Sequence, residues 1–140
     1  MKIEKFIEMT MQNCNGHTPF AKEAFHRQST SVLKELAKAL GYEKKDYDLR
    51  HNKGGIAVSG EIILHSDTLY VCFCQYGIEE GSSCFLWRTC QGRKDYTGGP
   101  NQWLPWTALR DLPAVARSMN LRAGRNPITG SAVNVLMSTY

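Results

Sequence analysis

Glu61-Ile62-Ile63-Leu64-His65-Ser66-Asp67-Thr68-Leu69-Tyr70-Val71-Cys72-Phe73-Cys74-Gln75 reads as two strands around a tight turn, the centre of a sheet. Both halves are rich in β-branched and aromatic residues, and Ser66-Asp67 between them is a tight-turn pair. Strands joined by so short a connection run antiparallel. The first strand extends back to Ile56. Val58, Ile62 and Leu64 lie on one side of it, and Ala57, Ser59, Glu61 and Ile63 on the other. Ile56–His65 and Thr68–Gln75 therefore read as a hairpin. Upstream, Tyr47, Leu49 and His51 alternate with polar residues and lead into a turn, Asn52-Lys53-Gly54-Gly55. Downstream, a loop over 76–83 precedes another strand, Cys84–Cys90. The expectation is an antiparallel meander of about four strands.

A sheet needs a cover, and the residues on either side supply helices. Ile3, Phe6, Ile7 and Met11 follow helical spacing over 2–13, and Asn15-Gly16 marks a stop. Thr18-Pro19 places an N-cap before a proline in the first turn. From Phe20 through Ala24, Phe25, Val32, Leu33, Leu36, Ala37 and Leu40 one apolar face runs to Gly41. This predicts a long helix over 19–40, with Ser29-Thr30-Ser31 as its weak point. Trp106 to Met119 reads as helix in two pieces, because Pro113 can only begin a new turn, and Asp111 is placed to cap the second. Val133–Met137 reads as a fifth short strand or a packing tail. The expected fold is one α+β domain over residues 1–140, its sheet covered on one face by the helix 19–40, with a further C-terminal helix.

The chain has 140 residues and a net charge of +4. Up to Trp87 there are ten Lys/Arg against eleven Asp/Glu, and from Arg88 onward seven Lys/Arg against only Asp95 and Asp111. The positive surplus thus lies wholly in the C-terminal part, a pattern that suits an acidic partner. No stretch approaches the ~18 apolar residues of a membrane span. The N-terminus lacks the h-region of a signal peptide, so a cytoplasmic protein without membrane association is expected. The sequence leaves the oligomeric state open.

Between the last strand and the C-terminal helix runs Trp87-Arg88-Thr89-Cys90-Gln91-Gly92-Arg93-Lys94-Asp95-Tyr96-Thr97-Gly98-Gly99-Pro100-Asn101-Gln102-Trp103. Long loops in compact domains are usually working surfaces or disorder, and this one is too aromatic for disorder. Its glycines allow close backbone approach, and exposed amides beside cations bind anions. Tyr96 and Trp103 offer faces on which bases stack. Arg88, Arg93, Lys94, Tyr96, Asn101 and Trp103 are the candidate binding residues. P-loop and dinucleotide-binding spacings are absent.

Five cysteines lie at 14, 72, 74, 84 and 90. In a reducing compartment they are expected as free packing thiols. C-x-C inside a strand is not the knuckle spacing of a zinc ribbon, so neither metal nor cofactor is expected. Cys90, between Arg88 and Arg93, could serve as a nucleophile only if His26, His51 or His65 reached it. Asp95 has no second carboxylate at a readable spacing. No catalytic residue is therefore assigned.

The phrase from Arg88 to Asn101, with the strand-rich Gly55–Gln75 before it, resembles small proteins of phages, plasmids and integrated elements. That resemblance implies a protein acting by binding, such as an anti-defence inhibitor of the anti-CRISPR kind. The helix–strands–helix order also resembles a double-stranded-RNA-binding domain. The chain departs from that family at Pro105-Trp106-Thr107-Ala108-Leu109-Arg110, where a lysine cluster belongs. The expected function is non-enzymatic binding to nucleic acid or to a host nucleic-acid-handling complex. The alternative is a small enzyme acting on a nucleotide or phosphorylated ligand at the 88–103 loop.

Overall fold

A computed structural model of the chain describes residues 2–12, 19–52, 61–74, 84–127 and 129. Its order is α1 (Lys2–Gln12), α2 (Pro19–Leu40), a 3₁₀ turn (Lys44–Asp46), β1 (Tyr47–Asn52), β2 (Glu61–Ser66), β3 (Leu69–Cys74), β4 (Cys84–Thr89), β5 (Gln102–Pro105), a 3₁₀ turn (Trp106–Asp111) and α3 (Leu112–Arg122). Among the described residues the sheet is antiparallel, with five strands in sequential order β1-β2-β3-β4-β5. The turn expected at 52–55, the first half of the strand expected at 56–65, the loop 76–83 and the strand or tail expected at 133–137 lie wholly or mostly outside the described residues.

Alternation along the strands sorts side chains onto two faces. Leu49, Ile62, Leu64, Leu69, Val71, Phe73, Phe85, Trp87 and Leu104 join the core with the helices. Phe6 of α1 stacks on Phe25 of α2 and Phe73 of β3, with ring centroids 6.4 and 5.6 Å apart. Trp106 meets Phe6, Phe73 and Phe85 at 5.5, 5.0 and 5.3 Å. These aromatic contacts bury much apolar area per residue and favour such edge-on or offset geometries. Arg50, Ile63, Cys72, Leu86 and Trp103 lie in register as one row on the opposite, outer face.

Two expectations need correction. The sheet has five strands among the described residues, not four, because Gln102–Pro105 adds a short edge strand to β4. The cover is not α2 alone. α1 packs against both α2 and the 3₁₀ turn Trp106–Asp111, and α3 packs along α2. Ser29-Thr30-Ser31 does not divide α2; Ser29 is buried, and the Thr30 hydroxyl donates to the His26 carbonyl at 2.7 Å. Helix α2 ends where Gly41 takes φ 89°, and buried Asn120 of α3 donates to the Leu40 carbonyl at 3.2 Å. Asp111 accepts from the Ala114 amide at 3.2 Å, which caps α3 at its proline.

Candidate functional site

The chain after β4 folds back over the end of the sheet and is built around one carboxylate. Asp95 accepts hydrogen bonds from the Gln91 amide at 2.9 Å, the Gly98 amide at 2.9 Å, and the Thr97 amide and hydroxyl at 3.2 and 3.1 Å. These donors, those of Gly98 and Gln91 first, hold its carboxyl down to about 2. Gly98 has φ +59°, and a Cβ there would lie 2.5 Å from the Thr89 carbonyl oxygen. Only glycine fits, and the close approach lets the Gly99 amide donate to that same carbonyl at 2.8 Å. Asp95 is thus spent on shaping its own loop and has no proton to exchange near neutrality.

The loop lays its side chains onto the outer face of the sheet. Arg88 of β4 places its guanidinium 4.1 Å from the ring centre of Tyr70 on β3. It also donates to the Tyr96 carbonyl at 2.7 Å and to Asn101 Oδ1 at 3.2 Å. Arg50 of β1 sits 4.8 Å from the Tyr96 ring centre. Between the two arginine–tyrosine pairs stands His65 of β2, edge-on to Tyr70 at 5.3 Å and to Tyr96 at 5.6 Å. Arg50 Nη2 donates to His65 Nδ1 at 3.0 Å, which leaves the imidazole proton on Nε2 to donate to the Gly92 carbonyl at 3.0 Å. Burial, then the Arg50 charge, pushes the His65 pKa below its ordinary value, so the ring stays neutral at physiological pH. The result is a continuous array, Arg50–Tyr96–His65–Tyr70–Arg88.

Tyr96 is 55% exposed and Trp103, on the edge strand β5, is 44% exposed, so flat apolar surface remains open beside the arginines. Lys94 is exposed. Arg93 is engaged elsewhere. It donates to the Lys45 carbonyl at 2.7 Å and forms ion pairs with Asp48 and Asp67, both at 3.4 Å, which ties the loop to the end of β1 and to the β2–β3 turn. Of the six residues singled out in the sequence, the structure thus brings Arg88, Tyr96 and Asn101 together. It puts Trp103 on the same face of the sheet, leaves Lys94 on the surface, and gives Arg93 to the scaffold.

Arg50 and Tyr70 were not singled out in the sequence, and His65 was named there only as a base that would have to reach Cys90. Their signal was present as strand alternation. Once Leu49 and Leu64 point inward, Arg50 and His65 must point outward, and Tyr70 shares its face with Cys72.

Among the described residues, no histidine hydrogen-bonds to Cys90. Cys90 donates weakly to the Ser66 carbonyl at 3.4 Å, and burial raises its pKa. His26 and His51 face one another, Nδ1 to Nδ1 at 3.2 Å, and His65 is occupied as described. Cys72, Cys74, Cys84 and Cys90 are free thiols, and Cys14 lies outside the described residues. Among the described residues, no helix is long and apolar enough to cross a membrane. Compared with protein-family models, curated proteins and solved structures, the chain matches none.

Proposed function

We propose that the outer face of the sheet binds single-stranded nucleic acid without chemistry on it. The observation that carries this reading is the Arg50–Tyr96–His65–Tyr70–Arg88 array, flanked by exposed Trp103 on an open sheet surface. Bases stack on tyrosine and tryptophan faces, and guanidinium planes held flat add further stacking and phosphate contacts. Arg50 and Arg88 are held in place by their hydrogen bonds, so little side-chain freedom is lost on binding. In the setting implied by the loop's resemblance, the chain serves a mobile element. Its ligand is then nucleic acid within a host complex, and anti-defence inhibition is the concrete form. The enzyme alternative is weaker, because Asp95 and Cys90 are both committed to the loop's own structure.

Fluorescence anisotropy with labelled single-stranded RNA and DNA tests this. Affinity should fall as salt rises, with a log–log slope of about −0.7 per phosphate contact. Lys94→Glu should reduce affinity and flatten that slope, and Trp103→Ala should weaken binding at every salt concentration. Arg93 is left intact, since reversing it would break the loop's ties to Asp48 and Asp67. Wild type and both variants binding equally weakly to every strand, at all salt concentrations, would end the nucleic-acid reading. Nuclease-resistant capture of a host protein through Trp103 would move the activity to a protein partner.

A further inference from the structure

We propose that Glu61, Cys72 and Cys74 form a binding site for a thiophilic divalent cation of the zinc class. The site lies on the outer face, at the open end of the β2–β3 hairpin, opposite its turn. Glu61 is directly across from Cys74 in the ladder, and Cys72 is two residues before Cys74 on the same side of β3. The pleat therefore aims one carboxylate and two sulfurs at a common point. The three ligand atoms lie within 4.8 Å of one another. Cys72 Sγ is 3.7 Å from Cys74 Sγ, and Glu61 Oε2 is 3.8 and 3.7 Å from the two sulfurs.

Those three distances form a nearly equilateral triangle. Its corners are roughly 2.2 Å from its centre, close to the ~2.3 Å of zinc–sulfur and the ~2.0–2.2 Å of zinc–carboxylate bonds. An ion just above that plane reaches all three atoms without moving the strands. The chemistry agrees with the size: thiolates select zinc-like ions over magnesium and calcium, and a carboxylate is an accepted third ligand. Glu61 is also oriented from behind. Asn52 donates to Oε1 at 3.2 Å, which leaves Oε2 facing the sulfurs, as groups behind metal ligands commonly arrange.

This geometry explains why sequence spacing is a poor guide here. Knuckles bring cysteines together by a turn, whereas this pair is brought together by strand pleating, and the third ligand comes from the adjacent strand. Binding releases the two thiol protons to solvent and leaves one tetrahedral position for water. The ion would staple β2 to β3 where the hairpin is open.

The reduced full-length chain, titrated anaerobically with cobalt(II) and then zinc(II), provides the test. One equivalent of cobalt should bind and give a sulfur-to-cobalt charge-transfer band that zinc abolishes. Cys72→Ser and Cys74→Ser should each remove the band. Cys84→Ser should keep it, because that sulfur is not among the three atoms. Glu61→Gln should weaken binding at least about tenfold, the loss typical even of groups behind a ligand. Circular dichroism of the metal-free variants checks folding. Glu61→Gln removes no apolar packing and remains informative if a cysteine variant misfolds. The proposal is overturned if the wild type shows no stoichiometric band, if the band survives loss of Cys72 or Cys74, or if folded Glu61→Gln binds as the wild type does.

Discussion

The two faces of this sheet are written into the same five strands yet are built on opposite principles. On the inner face, Phe73 and Trp106 meet Phe6, and Phe85 packs on both Phe73 and Trp106. On the outer face, alternate residues of the same strands join Tyr96 of the loop in an array in which each ring is matched to a cation or to a ring edge. Closure of the inner face supplies stability by removing area from water. The outer face keeps rings exposed and charges fixed, which a folded protein does not need for its own sake. Exposed aromatics carry information when a neighbouring group holds them in one orientation, as Arg50 and Arg88 hold Tyr96 and Tyr70.

The largest way to break this contrast is to cut into the inner face. Phe73→Ala should destabilise the fold by about 3–5 kcal/mol in denaturant melts. A loss under about 1 kcal/mol would mean that this face is not the core. The corresponding cut on the outer face is Tyr96→Ala. It should reduce single-strand affinity by about 1–3 kcal/mol while the melting temperature hardly moves. Equal effects of Tyr96→Ala on stability and on binding would erase the division of labour between the faces. A smaller change probes the cover: Asp111→Ala removes the cap of α3 and should lower stability by about 0.5–2 kcal/mol without altering affinity.

The gentlest perturbation is acid. The Asp95 carboxyl is held at about 2, against an ordinary 3.8, so its folded-state value is depressed. Its contribution is fully present above about pH 4 and is lost as pH falls through 2. Amide signals of Gln91, Thr97 and Gly98 should therefore shift across that window, while those of the inner-face strands lag behind. Simultaneous loss of both sets would show that loop and core melt as one unit.

Much of the inner face was legible beforehand. Pro19 opens α2 and Gly41 closes it, while Thr18 lies outside the described residues; the period of Phe25, Leu33, Leu36 and Leu40 gives its buried stripe, and Ser66-Asp67 fixes the central hairpin. β5 was not legible. Gln102-Trp103-Leu104-Pro105 is four residues long, ends in proline and follows a glycine-rich loop, so only pairing with Cys84–Trp87 makes it a strand. The binding loop was legible as a region but not in its wiring. Arg93 reaches Asp48 and Asp67, which lie far from it in sequence, and no local pattern announces such a contact. Likewise, Glu61 meets Cys72 and Cys74 only once the strand register is known.

The packing of Phe6 against Trp106 carries a consequence for the order of assembly on the ribosome. Each strand of the meander pairs with its predecessor as it emerges, so the sheet can grow by short-range steps. Helix α1 emerges before any strand, yet its inward ring is not enclosed until Trp106 has been synthesised. The Glu4–Arg110 ion pair, 2.7 Å, spans a similar stretch of chain. Throughout that interval Phe6 can rest on Phe25 of α2 but keeps one side open, the kind of surface that chaperones hold and that neighbouring chains capture. Chain concentration during synthesis and refolding should therefore affect the yield of this protein.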